Sequence, residues 1–406
     1  MKRKVLAAAL AAVMAGSMLA GCGSTGSGSD DTSAPQETAE GNAESDTLDG
    51  SWPEETAKIG VEVYDTTDLS VIGYMEYFEY LEDYYNVEFM FSESISSAEE
   101  ELAFVDSCYS AGCVGYVGGY NISMETVVDK VTEYGMYYWG CERGLDEQYA
   151  DNEYYLGGFE PIAAEGIEEG KNGDYSIGYT LAYTLAEQGN KHVVYCNGGA
   201  SMGVQMFIDR QEGFADGIAA AQAEGYEIQW DPSADIVEGW PGTDDFAAAQ
   251  SNAIAGDYDA VAVSFSGFEV WAQPLIDAGK AETVKLAGVG AVSDSLLDLF
   301  DTGMISLLIY ECPEIIFGQA FPMLMNAIEG NAELIKGDEG YMALPVNRWY
   351  ITEAEDYQAI YDFHEEGNYY VTADDIAAIT AGLTEGVTRD DIINYYSGLT
   401  LEACVE

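Results

Sequence analysis

The chain is poor in positive charge: 14 lysines and arginines stand against 73 aspartates and glutamates, a formal net charge of −59 over 406 residues. A nucleic-acid-binding role is excluded, because phosphate recognition needs a basic surface. The same field repels anionic lipid headgroups, so a basic face cannot hold the protein on a membrane. The acidity itself reads as a solubility habit rather than a statement about a ligand. Histidine is nearly absent, with only His192 and His364. There is no C-x-x-C pair, H-E-x-x-H run or Walker loop, so neither a structural zinc site nor metal-dependent catalysis is expected. No cofactor is implied either. Gly288-Val289-Gly290 follows a strand-like VKLA as a dinucleotide fingerprint would, but the third glycine and a basic partner for a pyrophosphate are missing.

What is present at the start is Lys2, Arg3 and Lys4, followed by an uncharged run from Val5 to Ala20 that is too short to span a bilayer comfortably. This is a signal-peptide pattern. It closes on Leu19-Ala20-Gly21-Cys22, which resembles the bacterial lipobox. That resemblance implies removal of residues 1–21, a diacylglycerol on Cys22 and an extracytoplasmic, membrane-anchored protein; an unmodified cysteine after a cleaved signal is the alternative. Gly23 to Gly50 is rich in Gly, Ser, Thr, Asp and Glu, cannot bury enough surface to fold, and places a flexible linker over residues 22–56. The other six cysteines, Cys108, Cys113, Cys141, Cys196, Cys312 and Cys404, suit buried thiols as well as disulfides.

About 350 residues remain, more than one growing core accommodates, so two lobes are expected. From Lys58 the sequence alternates short apolar runs with helical periodicity. KIGVEV, VEFMFS, VGYVGG and MYYWGC read as strands with helices between them. After an irregular stretch at 151–161 the rhythm restarts with strands KHVVYCN, YEIQW, YDAVAVSF and VKLAGVG. Such alternation argues for an α/β fold with parallel sheets and right-handed crossovers. ISLLIYE, a helix from Pro313 to Glu329 and ALPVNRWYI read as returns across the junction of the lobes. The expected division is 57–160 plus 312–344 for the first lobe, 161–311 plus 345–352 for the second, and 353–406 for an acidic helical extension. Its helices are capped by Thr372 and Thr388.

In element order, 58–351 resembles the type I periplasmic binding proteins, the family of the ribose- and galactose-binding proteins. Arg210-Gln211-Glu212-Gly213-Phe214 is similar to the family's R-x-x-G-F, Glu142-Arg143 stands where sugar binders carry Asp-Arg, and Trp240 stands where an aromatic often stacks on the sugar. The resemblance implies two Rossmann-like lobes joined by three hinge crossings, near Glu160-Pro161, Tyr310-Glu311 and Ala343-Val346. It also implies a sugar-like ligand held in the cleft between them and delivery to the permease of an ABC transporter by a monomeric, non-enzymatic protein. A subunit feeding a membrane sensor is the alternative partner. Ligand residues implied by position are Tyr64, Asp65, Asp68, Tyr120, Glu142, Arg143, Arg210, Trp240, Phe265, Ser266 and Glu311. Ser264, Phe265, Ser266 and Gly290 replace the family's usual Asn-Asp and Asp, which points to a more aromatic pocket than that of a ribose or glucose binder.

The residues support this reading on their own account. Beyond the leader the chain has four arginines, Arg143, Arg210, Arg348 and Arg389, and two of them follow the carboxyl ends of predicted strands, the edge where open α/β sheets bind ligands. A guanidinium there offers fixed donors to vicinal hydroxyls, a carboxylate accepts from the same diol, and an aromatic face covers a sugar ring. Ion pairing of Arg143, packing of Trp240 under a loop and an Asx turn around Asp65 and Asp68 would account for those residues without a ligand. Gly199-Ala200-Ser201-Met202-Gly203 matches the G-x-S-x-G of serine hydrolases, but Ser201 lies past the strand end rather than on a tight elbow, so a cleft loop is the expected reading.

Overall fold

The computed structural model describes residues 48–119, 123–141, 146–164, 166–167 and 170–405. In chain order the strands are β1 (Ala57–Val61), β2 (Val87–Phe91), β3 (Gly115–Gly118), β4 (Tyr137–Gly140), β5 (Tyr155–Pro161), β6 (Val193–Asn197), β7 (Ile236–Glu238), β8 (Ala260–Ser266), β9 (Lys285–Gly290), β10 (Ile305–Tyr310), β11 (Met342–Val346) and β12 (Trp349–Ile351). The helices are α1 (Leu69–Glu82), α2 (Ala98–Ala111), α3 (Met124–Glu133), α4 (Asp146–Tyr149), α5 (Gly173–Glu187), α6 (Gln205–Glu224), α7 (Asp244–Ala255), α8 (Phe268–Asp277), α9 (Asp294–Asp301), α10 (Pro313–Ile316), α11 (Ala320–Asn326), α12 (Ala332–Lys336), α13 (Ala354–Glu365), α14 (Ala373–Ala378), α15 (Arg389–Gly398) and α16 (Leu401–Val405).

The strands form two six-stranded sheets, ordered β11-β5-β4-β3-β1-β2 and β12-β10-β9-β8-β6-β7. Every pairing is parallel except β10 with β12. Strands such as β6 and β8 are apolar on both faces because helices cover both sides of a parallel sheet, and Val193 to Asn197 is buried without a break. This is the expected α/β architecture of two parallel-sheet halves. The chain passes between the sheets after β5, after β10 and after β11. β11 stays in register with β5 through Val346↔Pro161, so the last passage falls on Asn347 and Arg348, beyond the boundary expected at 344 and 345.

Three expectations change. YEIQW contributes only an isolated bridge, His192↔Gln229, and the edge strand of the second sheet is β7, paired with Tyr195 to Asn197. The turn held by Asp235, which accepts from the Asp231 amide at 2.8 Å, delays the pairing until Ile236. The last part of the expected linker, 48–56, packs instead of hanging free: Trp52 accepts from the Asn86 amide at 2.7 Å and meets the Tyr85 ring at 6.0 Å. A tryptophan supplies apolar surface that the Gly/Ser stretch before it lacks.

The acidic extension is likewise part of the core. Thr372 with Asp375 and Thr388 with Asp391 form capping boxes that start α14 and α15. Tyr357, Ile360, Ile376, Ile392 and Tyr396 are fully buried. The segment touches both halves. The Tyr357 hydroxyl accepts from the Ser293 amide at 2.8 Å and donates to its carbonyl at 2.9 Å on the second half. On the first half, Tyr77 and Tyr85 of the α1 region donate to Val371 O at 2.8 Å and Ala373 O at 2.6 Å. Among the described residues no helix is long and apolar enough to cross a membrane.

Candidate functional site

Two helices of the second half build the first element of the site. Cβ atoms added at Gly178 and Gly213 would stand 1.7 Å from Arg210 O and 1.9 Å from Tyr175 O, so only glycine at both positions lets α5 and α6 approach this closely. Phe214 next to Gly213 is buried and stacks on Tyr195 at 4.4 Å. Glycine and phenylalanine of the R-x-x-G-F motif are thus packing residues that deliver Arg210 to Asp174. Asn172 caps α5 by accepting from the Tyr175 amide at 2.8 Å, which fixes Asp174 in the first turn. Arg210 donates from Nε (3.0 Å) and Nη2 (2.9 Å) to Asp174 Oδ1, and from Nη1 (2.5 Å) to Ser264 O. Each of its nitrogens has a protein partner.

Asp174 faces a second arginine. Arg348, on the last passage between the sheets, brings Nη1 to 3.8 Å from Asp174 Oδ1 and donates from Nη2 to Glu311 Oε1 at 3.3 Å. Glu311 lies on the preceding passage, its amide donating to Gly290 O at 3.1 Å. Arg348 therefore ties the last passage to the preceding one, with its guanidinium 5.8 Å from the Phe159 ring of β5. It is 8% exposed, yet its Nε and Nη1 make no hydrogen bond. Burying cationic donors without acceptors is costly, so this group is set for an acceptor that the described residues do not supply.

The first half contributes Asp68, Asp65 and Tyr64. Asp68 caps α1, accepting from the Ser70 amide at 2.8 Å. Burial, opposed by its own backbone hydrogen bonds and reinforced by the charges of Glu311 and Glu269, pushes its carboxyl up to about 6. Asp68 and Glu311 thus share one acidic neighbourhood although they come from different elements. Asp65 is exposed and closes an Asx turn, accepting from Thr67 N at 2.8 Å and Thr67 Oγ1 at 2.7 Å. Tyr64 is half-buried against the core.

An aromatic group borders the second half. Trp240 is 36% exposed and leans on Phe207 (5.5 Å) and Phe265 (5.6 Å), which are themselves buried. Phe207 in turn lies under the Arg210 guanidinium at 5.6 Å. Phe265 therefore supports Trp240 from beneath, and Ser266 ends β8 half-buried beside it. Tyr120, Glu142, Arg143 and Cys22 lie outside the described residues. The loop before Tyr120 is held by Glu62, which accepts from the Tyr116 hydroxyl at 2.5 Å and the Gly119 amide at 3.0 Å.

The structure thus joins Trp240 to Phe265 among the residues singled out from sequence, and adds Arg348, which pairs with Glu311, and Asp174. Arg348 was visible only as one of four arginines beyond the leader, in a run that also reads as a strand; Asp174 looks like any acid in a helix's first turn. Ser201 sits by an open groove of about 510 Å³ with Ala200, Gln211 and Glu238, its amide donating to Glu238 at 3.0 Å. Neither histidine contacts it. His192 is bound to Asp257 O and Asp235, and His364 to Tyr310, Asn368 O and Glu314.

No protein-family model matches the chain, and no curated protein matches it. Solved structures do. The periplasmic binding protein of the arabinose ABC transporter of Shewanella sp. ANA-3, bound to α- and β-L-arabinofuranose, matches with a TM-score of 0.56 over 77% of this chain and 96% of its own, at 16% identity. An ABC transporter periplasmic solute-binding protein of Actinobacillus succinogenes 130z with bound D-allose gives 0.54 over 74% and 99%, at 15% identity. The XylFII-LytSN complex gives 0.55 over 74% and 99%, at 16% identity. At these identities the likeness defines the architecture: the chain has the type I periplasmic binding protein fold.

Proposed function

We propose that the protein is an extracytoplasmic solute-binding protein that captures a small polar cyclic solute, sugar-like in its hydroxyls, between the two halves. The observation that carries this reading is Arg348, a buried guanidinium set among Asp174, Glu311 and Phe159 whose Nε and Nη1 make no hydrogen bond among the described residues. Donors of that kind match ligand hydroxyl or ring oxygens, while Glu311 and Asp68 accept from hydroxyls and Trp240 offers a face to the ring. Arg210 supports the site by holding Asp174. The neighbours with bound D-allose and L-arabinofuranose agree with a sugar-class ligand. Binding to groups from both halves favours the closed form through differential affinity, and that closed surface is what an ABC permease would read. Lipid on Cys22 would keep the monomeric protein at the membrane. The reading contains no catalytic step, since Ser201 has no histidine beside it.

A thermal-shift screen of sugars, nucleosides and amino acids, followed by titration calorimetry and small-angle scattering, tests the proposal. The expected result is a sugar or nucleoside that raises the melting temperature and contracts the radius of gyration. An unchanged radius at saturation removes hinge closure, and stabilisation by amino acids alone removes the sugar class. A second partner class is a membrane sensor in place of a permease. The genes adjacent to this one separate the two.

A further inference from the structure

Outside the ligand network lies a group of side chains that the binding function does not use. Cys312 and Glu314 flank Pro313 where the chain re-enters the first half, and His364 stands near the end of α13 in the carboxyl-terminal segment. One ligand atom from each, the thiol sulfur, a carboxylate oxygen and a ring nitrogen, lies within 4.8 Å of the others. Glu314 is fully buried. One of its oxygens accepts from the Tyr370 amide at 3.0 Å and stands 3.8 Å from His364 Nδ1, while the other has no hydrogen-bond partner. A buried carboxylate with an oxygen left open is stable only if a cation or a proton meets it.

We propose that Cys312, Glu314 and His364 bind one divalent transition metal, zinc by the character of the ligands, with a water completing a tetrahedron. Thiolate, imidazole and carboxylate together suit zinc and not magnesium or calcium. Zinc–ligand bonds of about 2.0–2.3 Å place tetrahedral ligand atoms about 3.3–3.8 Å apart, so the present spacing needs only a small contraction. On binding, the Cys312 thiol proton leaves to solvent. His364 ligates through Nδ1, which leaves its contact with Asn368 O at 3.2 Å, and its Nε2–H donates to the Tyr310 hydroxyl, now 3.0 Å away. Tyr310 is buried and fixes the ring as an outer-shell partner does. The two halves of the ligand set come from residues about fifty apart in sequence. A metal there would fasten the carboxyl-terminal segment to the passage that also carries Glu311.

Full-length protein without a histidine tag, kept reduced with a phosphine, is titrated with CoCl₂ and then ZnCl₂. The expected result is one equivalent of Co²⁺ with a sulfur-to-cobalt charge-transfer band, displaced by one equivalent of Zn²⁺, and a melting temperature raised by zinc and restored by chelator. Cys312→Ser removes most of the band. Glu314→Gln and His364→Gln each weaken affinity at least about tenfold, the lower end for disturbing a metal site. Carboxylate binding on the acidic surface gives no such band, so adventitious uptake is distinguished. Absence of the band at saturating Co²⁺ overturns the proposal, as does a band of unchanged affinity in His364→Gln. Because His364 is partly exposed, that variant keeps the test decisive if Cys312→Ser does not fold.

Discussion

Two buried arginines flank Asp174, one on the wall of the second half and one on the last passage between the halves. At the wall, Arg210 spends every nitrogen on Asp174 and Ser264 O. At the passage, Arg348 donates from Nη2 to Glu311 and holds Nη1 in an ion pair 3.8 Å from Asp174, with no hydrogen bond from Nε or Nη1 among the described residues. The same side chain at similar burial therefore has two uses. The first is a strut, and the second is, under the proposed function, the group that meets the ligand. The contrast also separates Arg210 from the direct ligand donor that the resemblance implied, since three of its five N–H donors already hold Asp174 and Ser264 O.

The largest effect that would break this contrast is on the strut. Arg210→Ala leaves Asp174 buried without its main partner and is expected to lower folding stability by about 3–5 kcal/mol in denaturant melts. A variant that keeps its stability and loses only ligand affinity would exchange the two roles. Arg348→Met is expected to act the other way, with a loss of about 1.5–3 kcal/mol in ligand affinity by calorimetry and a much smaller change in the melt. Asp68 comes next. Its folded value of about 6 lies above the ordinary carboxyl range, so the folded state binds this proton more tightly than the unfolded chain. Its contribution to stability is fully present below about pH 4 and is lost as pH rises through 6. Asp68→Asn, which preserves the cap, should therefore flatten that part of the stability–pH curve by about 1–2 kcal/mol, allowing for its partial exposure. The smallest effect is on Trp240→Ala, about 1 kcal/mol in affinity with little change in stability, since the ring is already partly exposed.

Much of the fold was legible because its signals are local. Uninterrupted apolar runs such as HVVYCN mark strands covered on both faces, and T-x-x-D at Thr372 and Thr388 marks helix starts that the structure caps as written. The strand at Ile236–Glu238 was missed because IVE is short, while the neighbouring YEIQW has better strand composition but meets β6 at one bridge only. The site was less legible. Trp240 and Glu311 carry signals of position, whereas the link from Asp174 to Arg348 and that from Glu314 to His364 join residues far apart in the chain. No periodicity reports such encounters; only the three passages between the sheets create them.

The carboxyl-terminal segment grips the second half at Ser293 and the first half at Val371 and Ala373. Any swing of one sheet against the other is therefore resisted by the short stretch of chain between those grips, in which His364 lies. Under the proposed function, a swing of the halves would work against this strap, and shortening it would change the rate of ligand release without altering any side chain proposed to meet the ligand.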